Sequence, residues 1–303
     1  GLEEHLWLNF LLLSACTPPP AEPGFVEVRD FGENPGNLRM FTFTPEDMGE
    51  GTPLILSLHG CLQDHQAAEG TGLLARAREQ GFFVLAPQQV GTNNPQGCFR
   101  WYESGQTSRD QGEAASIAAM IRSVREQQPL GPTYILGLSA GAAMTVAMLG
   151  SYPELFAAGM SAAGGPYGCA GTVLEAPACM TGPPEHSAEE WRERVPGEGP
   201  WPRLLVVHGS MDPVVAPGNA PVLAQQWADL WGLENPISSE FSTPEAEITV
   251  EQWGDRQVER VELGAVGHAW PVVPEAGCGE AGSFNTDISF CSIDYTLEFF
   301  GLL

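Results

Sequence analysis

The stretch Tyr134 to Met144, YILGLSAGAAM, constrains this chain more than any other. A run of strand-forming residues breaks on Gly137-Leu138-Ser139-Ala140-Gly141 and resumes as an alanine-rich helical pattern. A serine between strand and helix, with glycine two places to either side, reads as a sharp, strained elbow. A side chain at either glycine would collide with the neighbouring strand or helix. The turn lifts the hydroxyl above the end of a sheet, at the positive end of a helix. The rest of the chain agrees with a sheet fed by such units. Apolar runs recur at Phe25 to Val28, Leu38 to Phe43, Leu54 to Leu58, Phe82 to Ala86, Ala157 to Ala163 and Leu204 to His208. Helical patterns lie between several of them, at Ala67 to Gln80, Asp110 to Gln127, Ala140 to Tyr152 and Asn219 to Trp231. This alternation predicts βαβ units, a mostly parallel central sheet flanked by helices, and so an α/β protein with one core. In such sheets the chemistry sits just beyond the carboxyl ends of the strands.

A serine hydroxyl is a poor nucleophile without a base, and the base needs an orienting acid. Six histidines compete. His5 lies in the N-terminal segment, and His65 and His186 sit in polar surroundings with no strand before them. His59 and His208 end strands but run directly into glycine, which suits a turn-shaping role. His268, in AVGHAWP, follows the strand-like run Val258 to Leu263 by a short glycine-containing loop and is the candidate base. Asp212, in the loop after the apolar run of LLVVHGSMDPVV, is the candidate acid; the other reading for it is an Asx turn ahead of Pro213. The order Ser139, Asp212, His268 is that of the α/β-hydrolase fold. A tetrahedral intermediate also needs donors for its oxyanion. The backbone N–H of Ala140, at the helix start, is one; the N–H of Cys61, in LILSLHGC, is the other.

The 303 residues carry 38 acidic and 13 basic side chains, for a formal net charge of −25, and every basic residue is arginine. A surface this acidic repels phosphate backbones and anionic lipid heads, which excludes nucleic acid as the expected partner. The N-terminal segment has an apolar run from Leu6 to Leu13, too short to span a bilayer. It ends in Leu13-Ser14-Ala15-Cys16, which resembles a bacterial lipobox. Cys16 is therefore the expected lipidation site and membrane contact is expected only through that anchor; an ordinary N-terminal helix is the other reading. Residues 1–24 are read as export segment and proline-rich tether, and residues 25–303 as the catalytic domain. Six further cysteines, Cys61, Cys98, Cys169, Cys179, Cys278 and Cys291, contain no C-x-x-C pair, which argues against zinc or a redox dithiol. Six cysteines allow 15 connectivities. In an exported protein the economical reading is three disulfides, with Cys169 to Cys179 and Cys278 to Cys291 close in sequence and Cys61 to Cys98 remaining. The stretch Gly164 to Pro202, rich in proline and glycine and holding two of these cysteines, reads as a disulfide-containing insertion over the sheet's edge.

Taken together, NPGNLRMF (Asn34 to Phe41), LHGC (Leu58 to Cys61), CFRWYE (Cys98 to Glu103), RDQGEAASI (Arg109 to Ile117), GLSAGAAM (Gly137 to Met144), GPYGCA (Gly165 to Ala170), HGSMDPVVAPGNA (His208 to Ala220) and GHAWP (Gly267 to Pro271) resemble one family. These are the secreted poly(3-hydroxybutyrate) depolymerases and their relatives, the feruloyl and acetylxylan esterases. The resemblance spans roughly Phe25 to Phe300. It implies an α/β-hydrolase fold, serine esterase chemistry with Ser139, Asp212 and His268 matching the family's triad, a polyester or other ester substrate, secretion or attachment to the cell envelope, and no metal or organic cofactor. Trp101 and Trp270 are the expected flat walls of the substrate site, with core packing as the other reading for each. Arg109, Asp110 and Glu113 are expected to brace the helix that follows them. From another class of function, a surface binding protein on a catalytically dead hydrolase scaffold remains a remote expectation.

Overall fold

Leu54, Leu56 and Leu58 pack into one core cluster and Ile55 into another, with all four buried. The same alternation holds for Phe83 and Leu85 against Val84, and for Leu204 and Val206 against Leu205 and Val207. Strands covered on both faces are apolar at every position, which is why these runs look continuous in the sequence. The computed structural model describes residues 24–303. Cys16 and the export reading of the N-terminal segment lie outside the described residues.

The first half contains β1 (Val26–Val28), β2 (Arg39–Phe43), β3 (Thr52–Leu58), α1 (Ala67–Gly70), α2 (Leu73–Gln80), β4 (Phe83–Gln88), α3 (Ser104–Thr107), α4 (Gly112–Gln127), β5 (Leu130–Leu138) and α5 (Ala140–Ser151). The second contains β6 (Ala158–Ala162), α6 (Ala176–Thr181), α7 (Ala188–Glu193), β7 (Arg203–Gly209), α8 (Asn219–Trp231), β8 (Ile237–Ser242), β9 (Glu247–Trp253), β10 (Val258–Leu263), β11 (Trp270–Val272), β12 (Asn285–Asp287) and α9 (Ser292–Phe300). Ten strands form one sheet in the order β1-β2-β4-β3-β5-β6-β7-β10-β9-β8. From β4 to β10 every pairing is parallel, and antiparallel strands extend it on both sides. Helices α4, α5 and α8 pack on one face and α2 and α9 on the other. The parallel strands all end along one edge, so the loops after β3, β5, β7 and β10 meet there, carrying Cys61, Ser139, Asp212 and His268.

Three expectations are revised. The helix expected over Ala67 to Gln80 is broken in two at Gly72, where φ is +86° and a Cβ would stand 2.7 Å from the backbone nitrogen of Gly279. The insertion between Gly164 and Pro202 joins β6 to β7, which are neighbours in the middle of the sheet. It therefore lies over the carboxyl ends of central strands, where the site is, rather than over a sheet edge. Strands β8 and β9 and helix α9 add to the expected elements. β8 is exposed along its whole length and offers no apolar alternation to read.

Candidate active site

At the elbow Ser139 has φ +56° and ψ −118°, a conformation that L-residues rarely adopt. The backbone is held there from two sides. Ser139 N donates to Ala162 O at 2.9 Å, and a Cβ on Gly137 would stand 2.4 Å from the carbonyl carbon of Gly141. A Cβ on Gly141 would in turn stand 2.1 Å from Leu58 O. Both glycines thus answer to close backbone approaches, as the sequence pattern predicts. Helix α5 behind the serine is buried almost throughout, which anchors the elbow in the core.

The loops after β7 and β10 bring Asp212 and His268 together. His268 Nδ1 lies 2.7 Å from Asp212 Oδ2, while Asp212 Oδ1 accepts from Val214 N at 2.8 Å and Val215 N at 2.9 Å. The Asx turn weighed from the sequence is therefore present and coexists with the histidine contact. Burial would raise the Asp212 pKa, but the bonds from His208, His268 and the two N–H groups outweigh it and hold the carboxyl far below the usual carboxylate range. A buried anion against Nδ1 fixes the imidazole so that Nε2 is the free ring nitrogen. Among the described residues, no hydrogen bond to the Ser139 hydroxyl is formed. The Asp212–His268 contact is thus formed, and its closure onto the serine belongs to the proposal below.

A contact that the sequence does not advertise joins this group: His208 Nε2 lies 3.3 Å from Asp212 Oδ2 and 3.0 Å from Val215 O. His59 has the turn-shaping place expected of it. Its Nδ1 donates to Gly60 O at 2.8 Å, and its Nε2 accepts from Gln89 N at 3.1 Å. Burial pushes its pKa down, so the ring stays neutral as those two bonds require.

The next residues build the loop after β3. Leu62 N donates to Gln96 O at 2.7 Å, and Gly60 N to Gln63 Oε1 at 2.8 Å. The Cys61 and Ala140 N–H groups have no acceptor among the described residues, and both residues line one cavity with Ser139. Cys61 is disulfide-bonded to Cys98, with Cα atoms 4.2 Å apart. Buried Glu113 backs that disulfide, accepting from Gln89 Nε2 at 2.6 Å, Arg100 N at 2.8 Å and Arg100 Nε at 2.9 Å, while Gln89 Nε2 also donates to Cys98 O at 3.1 Å. Burial pushes the Glu113 pKa up against the pull of Arg100. Arg109 reaches Glu154 and Ser151 O, so both it and Glu113 brace the scaffold. The pairs Cys169–Cys179 and Cys278–Cys291 are also bonded.

The cavity at Ser139, of about 270 Å³, has a mostly apolar wall that includes Trp101, Val173, Ala176, Pro177 and Met180. It adjoins a larger one of about 820 Å³, with Trp101, Ala143, Pro166 and Cys179 common to both. Most of this wall comes from the insertion, tied down by the Cys169–Cys179 bond and by Asn219 Nδ2 donating to Cys179 O at 3.0 Å. Trp101 stands where a substrate wall is expected. Trp270 does not: it is 1% exposed and packs with Ile293 and Leu297 in the core, lining neither cavity, so core packing is its role. Among the described residues one group of side chains is close enough to share an ion, namely Cys278, Cys291 and Asp294; its sulfurs are disulfide-bonded and its carboxylate is paired with Arg76.

A parallel sheet sandwiched by helices, with a strained serine elbow and an Asp–His pair at its carboxyl edge, defines an α/β-hydrolase. The family described as Esterase PHB depolymerase matches residues 40–240. Poly(3-hydroxyalkanoate) depolymerase C of Paucimonas lemoignei is 36% identical over 91% of this chain and 70% of its own length. Acetylxylan esterase A of Aspergillus oryzae is 31% identical over 82% of this chain and 85% of its own. Among solved structures, an acetyl xylan esterase from Aspergillus awamori superposes with a TM-score of 0.78 at 23% identity, covering 92% of this chain and all of that one, a likeness of fold. The chain belongs to the PHB depolymerase esterase family, and is a carboxylic ester hydrolase.

Proposed function

We propose that this esterase cleaves aliphatic polyesters of the poly(3-hydroxyalkanoate) type, or their oligomers, through Ser139, His268 and Asp212. The observation that carries the substrate is the mostly apolar wall of the cavity at Ser139, together with the exposed apolar side chains on the loops around it. Five of the nine large apolar side chains exposed among the described residues, Leu62, Val173, Leu174, Met211 and Val214, sit on the oxyanion loop, the insertion and the acid loop. A neutral, water-poor polymer fits such a rim, and the P. lemoignei relative supports the same class. In this mechanism His268 Nε2 takes the proton of the Ser139 hydroxyl as the oxygen attacks the ester carbonyl. The Cys61 and Ala140 N–H groups hold the oxyanion. The alcohol leaves with the proton from His268, and a water activated by the same imidazole releases the acid from the acyl-serine. Three disulfides support export from the cytoplasm, and among the described residues no helix is long and apolar enough to cross a membrane. The proposed location is secreted, or held at the cell envelope through Cys16.

A second reading, an acetylxylan or feruloyl esterase, is favoured by the larger cavity, whose wall carries the hydroxyls of Ser104, Thr107, Ser108 and Thr172. The test is hydrolysis of an amorphous poly(3-hydroxybutyrate) suspension beside acetylated xylan and methyl ferulate, with Ser139→Ala as blank. Clearing of the polymer alone supports the first reading, and release of acetate or ferulate alone supports the second. Ser139→Ala is expected to lower kcat roughly 10⁴-fold or more on any of them. Turnover near wild type would overturn the assignment of Ser139 as the nucleophile, and failure of a serine-reactive phosphonate to label the protein would return the chain to the binding-protein reading.

A further inference from the structure

We infer that His208 is a positioning residue for the triad acid, holding the Asp212 carboxylate in place through its Nε2–H. The inference rests on the assignment of Asp212 and His268 above. His208 is next to last in β7 and 2% exposed. Its Nε2 is 3.0 Å from Val215 O, and since a carbonyl only accepts, the proton sits on Nε2. The same nitrogen is 3.3 Å from Asp212 Oδ2, the oxygen that His268 Nδ1 approaches at 2.7 Å. The hydrogen bond of Nε2–H goes to Val215 O, and Asp212 Oδ2 is a polar contact of the same nitrogen.

Each carboxylate oxygen therefore has two nitrogens beside it: Oδ1 those of the Val214 and Val215 backbone, Oδ2 one from each of the two imidazoles. Rotation about Cβ–Cγ of Asp212 would disturb all four at once. By also holding Val215 O, His208 ties the far end of the acid loop back to the strand before it. The ring's other nitrogen, Nδ1, is buried without a partner, so the contacts through Nε2 alone fix its orientation by hydrogen bonding. An imidazole kept only to fill space would be better served by an apolar side chain with no orphaned nitrogen. The chemistry that requires an N–H here is the second lone pair of Oδ2, which would otherwise be a desolvated anion site facing His268 from one side only.

The test compares His208→Gln, whose amide nitrogen falls near the place of Nε2, with His208→Asn, whose amide is too short to reach. Kinetics are measured on a soluble ester, p-nitrophenyl butyrate, per active site titrated with a phosphonate. His208→Asn should lower kcat roughly ten- to a hundredfold with KM unchanged, the worth of one hydrogen bond to a charged acceptor. His208→Gln should recover most of that loss. In an Asp212→Asn background the Asn substitution at 208 should cost nothing further, because the group it acts through has lost its charge. His208→Leu, an apolar filler, provides a second donor-less variant with the same expected loss should the Asn form not fold. A wild-type kcat per active site in either donor-less variant, or a loss that repeats in full in the Asp212→Asn background, would overturn the proposal. Full activity of Asp212→Asn alone would overturn the acid assignment itself, which separates the two failures.

Discussion

At position 141 the nearest backbone oxygen would lie 2.1 Å from a Cβ, and neither partner is a flexible side chain end that could move away. Gly141→Ala is therefore expected to cost on the order of 3 kcal/mol or to unfold the elbow, read as a fall in the urea midpoint together with lost labelling of Ser139 by a phosphonate. Asp212 gives a second residue-level prediction, through pH. Its folded pKa is depressed, so its contribution to stability is complete above the unfolded value of about 3.9 and is lost as the pH falls from there through the folded value. Urea titrations between about pH 5 and pH 2 should show an acid-side loss that is smaller in Asp212→Asn; equal slopes would contradict the depressed pKa. The readability of these residues differs for physical reasons. Ser139 announces itself because the two glycines that its elbow requires, Gly137 and Gly141, lie within five consecutive residues. Asp212 and His268 are legible through chain order and their place after strands. His208 was not legible as a partner, because a histidine before glycine looks like a turn former whether or not its ring reaches Asp212 four residues on. Trp270 misled by being two residues from His268: it opens β11, and its ring faces the core rather than the cavity.

Among the elements, the parallel strands and the long helices were readable because burial on both sheet faces forces continuous apolar runs. The break between α1 and α2 was hidden because it depends on Gly279, more than 200 residues later, approaching Gly72. Two disulfides hold loops with different tasks, which predicts different defects. Cys61–Cys98 braces the loop after β3, which the proposed mechanism uses for an oxyanion donor, so replacing both cysteines by alanine should cost about 2–4 kcal/mol of stability and also lower kcat on soluble esters. Cys169–Cys179 fastens the insertion that walls the cavity. Its double alanine variant should lose stability of the same order while raising KM for long oligomers, with kcat on p-nitrophenyl butyrate nearly unchanged. Steady-state kinetics on a short ester and an oligomer series separate the two. A kcat defect in the second variant alone would mean that the insertion, rather than the loop after β3, positions the oxyanion donors.

For the molecule as a whole, a net charge of −25 with no lysine sets up self-repulsion that the apolar rim must work against whenever the protein meets a surface. Anionic surfaces should then repel the protein at low salt, whereas neutral ones should not. Raising NaCl from about 0.01 M to about 0.15 M shortens the screening length from roughly 30 Å to roughly 8 Å, and the melting temperature should rise as repulsion within the chain and between molecules is damped. Adsorption of the inactive Ser139→Ala protein to poly(3-hydroxybutyrate) particles, which carry no charge to lose, should strengthen or stay level over the same range, because neighbouring adsorbed molecules repel less. Vesicles of phosphatidylglycerol should bind little protein at low salt. Leu174→Ser and Met211→Ser remove strongly exposed apolar side chains on the insertion and on the Asp212 loop and should weaken polymer adsorption without changing hydrolysis of a soluble ester. If polymer adsorption instead collapsed as salt was added, arginine contacts rather than the apolar rim would be holding the protein there. The cavity would then have to be matched to a charged, soluble ester in place of a neutral solid.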